Sequence, residues 1–449
     1  GTPATTWPAG TFAFRGIAAY DLNAIHENMV RTATYVVAAS DAPDHVKRQA
    51  DYVCDGVDDH VEIQAAIDSL SNGGNIIITQ GTYTISEILT LSSMSDITIT
   101  GVGNPTIDRN YTGEIASHNV HSFKLTKCNR ISIQGIKFTQ TDVNTGTIIL
   151  ISGSDSVTVR NCTIDGCYTG VRTMAYSGDN TKCTNIRIVE NHILNYKYSG
   201  IMISDGSEYI TVSHNTIHDG ANPDGELLYA IATGTMGSCI RDLPGCHHVT
   251  ITDNVIYNHT MHHAIDVHGG DDFVITGNIL TNIGGRGMYC HNISPSDETS
   301  LPPSDFDCKN WIISHNIINT AASGIHVQSD HAASTLSNVT ICDNCISNVT
   351  SKGINVGCVE NAHLRNVAIE NNIIQGHVGD YVYGYGIFTG SSKPGTTCEN
   401  ITVRGNSIYD TDSDTPFEDG ILVYTGDNVC VADNITNCSR RGIYVKDGA

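Results

Sequence analysis

The chain has 449 residues, with 24 Lys and Arg against 47 Asp and Glu, and the resulting formal charge of −23 argues against nucleic acid or an anionic membrane surface as a partner. Aromatic residues are 6% of the total and glycines number 43, a composition of short strands and turns rather than of helices. No apolar run is long enough to span a bilayer, and no secretory leader is visible at residue 1.

In chain order, residues 1–45 read as an extension that carries Trp7-Pro-Ala-Gly and then Asp21-Leu-Asn-Ala-Ile-His-Glu-Asn-Met. Next comes Asp58-Asp-His-Val-Glu-Ile-Gln-Ala-Ala-Ile-Asp-Ser-Leu, whose apolar residues at 61, 63, 66, 67 and 70 predict an amphipathic helix over about 58–71. Gly73-Gly and Asn75-Ile-Ile-Ile-Thr-Gln-Gly-Thr-Tyr then predict a first strand and turn. Residues 50–110 resemble the opening of the pectate-lyase-like β-helix superfamily, in which such a helix closes the N-terminal end of a strand stack. The extension is similar to the attachment segment of phage and prophage tail proteins. That likeness implies a virion setting and, in it, a homotrimer.

From residue 161 onward an Asn recurs just after a short alternating strand, at Asn161, Asn191, Asn215, Asn254, Asn278, Asn316, Asn344, Asn372, Asn406 and Asn434. The copies stand roughly 24 to 39 residues apart, the spacing of stacked coils. Between them runs a second phrase, a small residue and then two apolar residues flanking a variable one, as in Ala264-Ile-Asp-Val, Gly287-Met-Tyr-Cys, Gly324-Ile-His-Val and Gly353-Ile-Asn-Val. Each coil therefore carries at least two strands. Strand side chains alternate, so the apolar pair faces a core while the residue between them and the residue after them face outward. An Asn at the same bend of every coil can stack on its neighbours and bond the next backbone. The predicted fold is all-β: a right-handed parallel β-helix over residues 46–449 with a short N-terminal capping helix.

A β-helix does not name its activity, so the outward positions must decide it. Three consecutive coils present Asp266 with His268, Tyr289 with His291, and His326 with Gln328. At about 4.8 Å per strand these six side chains cover roughly 10 Å of the axis, the scale of one or two sugar rings. His263, Arg286 and Lys352 stand just before the same strands and add positive charge, and Arg172 and Asn355 lie in the same outward column. A neutral His accepts a proton near pH 7 and a Tyr can donate one, which suits removal of a carbon-bound proton and protonation of a leaving oxygen. Uronate β-elimination has that chemistry.

The phrase His263-Ala-Ile-Asp266-Val-His268 resembles the Tyr-Gly-Phe-Asp-Pro-His motif of the alginate C5-epimerases. Asp266 and His268 match it residue for residue, His263 and Val267 depart from it, and His291 stands where those enzymes carry a carboxylate on the next coil. The predicted function is a polysaccharide lyase cleaving an alginate-like chain. His268 or His291 is the base, Tyr289 the acid or second base, and Asp266 orients a histidine. Arg286 and Lys352 hold the uronate carboxylate, while His263, His326, Gln328, Arg172 and Asn355 bind substrate. The alternatives are a tailspike-type glycoside hydrolase pairing Asp266 with Asp205, Glu226, Asp242, Asp271 or Asp272, a mannuronan C5-epimerase, and a non-enzymatic receptor-binding tail fibre.

The expected partner is an acidic polysaccharide, met outside the cell or at a virion tail. No cofactor is required. Asp271 and Asp272, read as a turn after Gly269-Gly, are where a calcium ion would bind. Asp266, His268, His291 and His326 have zinc or manganese donor chemistry, but four ligands on a flat sheet are not expected to converge. Insertions at about 218–248, 292–310 and 375–399 lengthen coils, and the second is expected to wall the patch. Tyr229, Tyr381, Tyr383 and Tyr385 are candidates for stacking on sugars. Cys162, Cys290, Cys342, Cys345 and Cys430 read as core residues, and Cys239 and Cys246 are spaced for a disulfide across a loop.

Overall fold

The computed structural model describes residues 33–446, apart from 71–72, 111–119, 141–145, 224–226, 235–244, 293–305, 378–383, 410–416, 425 and 439. Strands pair in parallel with the coil before and the coil after, forming a right-handed parallel β-helix whose described residues make two sheets, one of 15 strands and one of 22. Each central coil has three strands. In the histidine-rich region one coil runs Val255–His259, His263–His268 and Gly270–Thr276, and the next runs Ile279–Ile283, Arg286–His291 and Cys308–Ser314. The first two strands of a coil fuse across their bend in Ile317–Ser329 and Cys345–Cys358, which joins their ladders into the 22-stranded sheet.

The alternation read from the sequence sets the core. Ile231, Ile265, Met288, Ile325, Ile354 and Ile387 stack in register and are fully buried. The small residue heading each phrase has a steric reason, because a Cβ at Gly324 would meet the Gly353 carbonyl oxygen at 2.5 Å. The asparagine ladder forms as the spacing predicts. Asn278 Nδ2 donates to Ile251 O at 2.9 Å, and its Oδ1 accepts from the Asn254 backbone N–H at 3.1 Å. The first copy is displaced by one residue: Thr163 pairs with His192, so Cys162 fills the ladder slot and Asn161 sits just ahead of it at φ 50.

At the N-terminal end the helix spans His60–Asp68 and buries Ile63, Ala66 and Ile67, while Val61 stays exposed. The solenoid starts earlier than residue 46. Strand Ala33–Ala38 already lies between Tyr52–Val53 and Gly74–Thr79 in the 15-stranded sheet, because Val36 and Val37 pair with the hydrophobic strand at Ile77 and Ile78. Two other expectations need correction. Cys342 and Cys345 are half-buried and Cys430 is exposed, since they fall on outward positions, whereas Cys162 and Cys290 are core residues. Asp271 and Asp272 begin a strand rather than forming a turn. Cys239, and with it the suggested bridge to Cys246, lies outside the described residues, as do Glu226, Asp242, Tyr381 and Tyr383 and most of the 292–310 insertion.

Candidate active site

Register brings the outward residues together. Asp266 pairs with Tyr289, Tyr289 with His326, and His326 with Asn355, while His268 pairs with His291 and His291 with Gln328. This face is not a bare solvent-covered sheet, for Asp266, His263, His291 and Asn355 are all buried. His268 Nε2 lies 2.8 Å from Asp266 Oδ2, and His291 Nε2 lies 3.6 Å from Asp266 Oδ1. On its other side His291 Nδ1 is 3.0 Å from Asp330 Oδ2, and the Tyr289 hydroxyl donates to the same carboxylate. Arg286 donates to His263 Nε2 at 3.1 Å and covers the Tyr289 ring. His326 Nε2 contacts Gln328 at 2.7 Å and Asn355 at 2.6 Å, and Lys352 donates to Asn355 Oδ1 at 3.3 Å.

These contacts sort the protons. Burial pushes the Asp266 carboxyl up, but His268 and His291 outweigh it and hold it below the usual carboxylate range. An ionised carboxylate has no hydrogen to give, so His268 Nε2 carries the hydrogen of their 2.8 Å contact. Burial lowers His291, yet its two carboxylates prevail and raise it to about 9, so it is an imidazolium at neutral pH. Asp330 is likewise kept low, against burial, by His291 and Tyr289. Burial and then Asp330 drive the Tyr289 phenol upward, so it keeps its proton. Burial pushes His263 and His326 down to about 3, which leaves both neutral.

Asp330 and Asn292 are the residues that sequence reasoning missed. Asp330 follows the end of strand Ile317–Ser329, and its backbone N–H donates to the Asn292 side chain, which stands just after His291. The signal available was positional: Asp330 is the first carboxylate beyond the His326 strand. Arg172 faces the same way but pairs with Met202, three coils before Asp266, and is not part of the cluster. Tyr229 is buried, edge-on to the His262 ring at 5.1 Å, and offers no open face to a sugar. Asp271 and Asp272 lie on the next sheet, where Asp271 accepts from the Lys309 N–H and Asp272 from Asn310. The donor atoms of Asp266, His268 and His291 do lie within 4.8 Å of one another and could hold a metal ion; His326 is not in that group.

A family model described as a right handed beta helix region matches residues 63–242. No curated protein matches the sequence. Among solved structures, the catalytic domain of Agl-KA aligns over 87% of this chain and 66% of that one, with a TM-score of 0.60 at 15% identity. The catalytic unit of a thermostable GH87 alpha-1,3-glucanase from Streptomyces thermodiastaticus aligns over 86% and 66%, with a TM-score of 0.52 at 14% identity. PfbA, a surface adhesin of Streptococcus pneumoniae, aligns over 87% and 89%, with a TM-score of 0.55 at 16% identity. The chain thus spans slightly under two thirds of the two catalytic domains. At these identities the likeness concerns the fold.

Proposed function

We propose that the chain is a polysaccharide lyase that cleaves a uronic-acid-containing polymer by removing the C5 proton. The protonation pattern carries this reading. Glycoside hydrolysis needs one carboxyl that stays protonated to act as the acid. Asp266 and Asp330 are both held ionised, and the site's protons sit instead on Tyr289 and His291. The Asp266 and His268 pair offers a base: the carboxylate fixes Nε2–H, and Nδ1 of this ring, whose side chain is 20% exposed, is available. Arg286 and Lys352 have no carboxylate partner among the described residues, which suits them to a substrate carboxylate.

In the proposed reaction His268 Nδ1 takes the C5 proton, whose bonding electrons form the C4–C5 double bond as the C4–O4 bond breaks. Tyr289 protonates the departing O4, and Asp266 stabilises the imidazolium that forms on His268. The substrate places the enzyme outside cells or at a virion tail, where a homotrimer is the proposed assembly. Calcium at Asp271 and Asp272 remains an accessory proposal. A second reading, a glycoside hydrolase, draws on the two carboxylates either side of His291 and on the glucanase catalytic unit among the structural neighbours.

The test is ultraviolet absorbance of unsaturated uronate during incubation with alginate, pectate and glycosaminoglycans, with reducing ends measured in parallel. A rise in absorbance that His268→Ala abolishes is the expected result. New reducing ends without absorbance would replace the lyase by the hydrolase, and silence in both would remove the lyase and the hydrolase for these polymers and leave the C5-epimerase or the binding fibre.

A further inference from the structure

Around the bend from the candidate active site, the 15-stranded sheet opens with a column of left-handed residues. Asn185, Tyr209, His248, Asp272, Asn310, Asn338, Asn366, Asn400 and Asn428 follow one another in register, each with φ between 53 and 63. Asn and Asp tolerate this conformation because their short side chains bond locally. From Asp272 onward they do so between coils: Asn310 donates to Asp272, Asn338 to Asn310, Asn366 to Asn338, Asn400 to Asn366 and Asn428 to Asn400, at 2.7 to 3.0 Å. Tyr209 and His248 stand ahead of that run and place two large rings in left-handed backbone.

The two rings make a platform. They stack with centroids 4.6 Å apart and planes 14° from parallel, and Asp272 Oδ2 lies 3.3 Å from His248 Nδ1. His248 covers one face of Tyr209, yet Tyr209 remains 54% exposed, which leaves its opposite face open. The next coil on that side bears Asn185, whose amide bends away to Asp155 at 2.7 Å, and the exposed Arg187, which has no carboxylate partner among the described residues. Arg187, Tyr209, Thr211, His248, Thr250 and Asp272 line a groove of about 610 Å³.

We propose that this groove is a remote subsite for the substrate polymer, with a pyranose ring stacked on the open face of Tyr209 and its polar substituents on Arg187 and the threonine hydroxyls. An aromatic face matches the C–H face of a pyranose, and a guanidinium offers paired donors to hydroxyl or carboxylate oxygens. The inference rests on the reading that the substrate is a polysaccharide.

Tyr209→Asn is the diagnostic variant, because it returns the column residue while deleting the platform. Affinity electrophoresis against the polymer that the wild-type protein turns over should show binding weakened roughly threefold to tenfold, the worth of one aromatic contact. The thermal midpoint should rise, and turnover of a short oligosaccharide that does not reach the groove should not change. Arg187→Gln should weaken polymer binding in the same sense. Wild-type binding by both variants, with polymer turnover intact, would overturn the subsite and leave the lyase reading standing. A lower thermal midpoint for Tyr209→Asn would show that Tyr209 is structural and would also overturn it. If the wild-type protein neither binds nor cleaves any polymer, both proposals fall.

Discussion

Asp266 and His268 sit two residues apart on one strand, and that spacing alone puts both on the same face. The 2.8 Å contact follows from it, and so does a prediction. Asp266→Asn keeps the shape but removes the charge that stabilises a protonated His268, so turnover should fall roughly 10²- to 10⁴-fold with the fold unchanged by circular dichroism. Near wild-type turnover would exclude the pair from catalysis. His291 carries a second prediction, with a definite sign. Its pKa is raised from 6.5 to about 9 in the folded protein, so its ion pairs stabilise the fold fully below pH 6.5 and the benefit is lost as pH climbs through 9. Thermal midpoints of the wild type should therefore converge on those of His291→Asn between pH 7 and 10; a constant gap would mean that the ion pairs contribute nothing. The pairing of these residues was legible in the sequence, but the bridging role of His291 was not. It depends on Asp330, 39 residues later, and no periodicity links the two.

At the scale of the element, the asparagine ladder converts a sequence repeat into axial cohesion. Each buried ladder amide satisfies a carbonyl of the preceding coil and an N–H of its neighbour, groups that would otherwise be orphaned inside the bend. Asn278→Ala should destabilise the protein by roughly 2 to 4 kcal/mol, read as a lower urea midpoint, because it leaves the Asn254 N–H and the Ile251 carbonyl buried without partners. Asn161→Ala should cost far less, since Cys162 occupies the ladder slot in that coil. Equal losses for the two would refute the register. The spacing of the repeats revealed the ladder, but an inserted residue ahead of one copy could be detected only by pairing Thr163 with His192. The outer column with Tyr209 and His248 was invisible for a related reason. Left-handed backbone at a strand's start is a property of φ, and the residue types there, Tyr and His, are not the ones that announce it.

Over the whole molecule, several histidines of this acidic chain are buried. Burial pushes His121 and His259 down to about 4, and His263 and His326 down to about 3. Unfolded, each would take a proton near pH 6.5; folded, each resists it. Their stabilising effect is therefore present above pH 6.5 and is lost as pH falls through 4 and then 3, so acid unfolding should be steep and accompanied by proton uptake. Substituting His121 and His259 by Gln should flatten the slope between pH 6.5 and 4, and an unchanged slope would place the acid sensitivity elsewhere. What the sequence by itself determined was the solenoid: its coils, its apolar columns, its capping helix and the face on which the polar residues stand. Those features are local and periodic, so alternation and spacing encode them directly. Only the tertiary structure decided which carboxylates close on His291, which histidines are neutral, and that Arg172 stands apart from the cluster. Those outcomes depend on burial and on distances between side chains from different coils. Neither quantity is a property of any one stretch of chain.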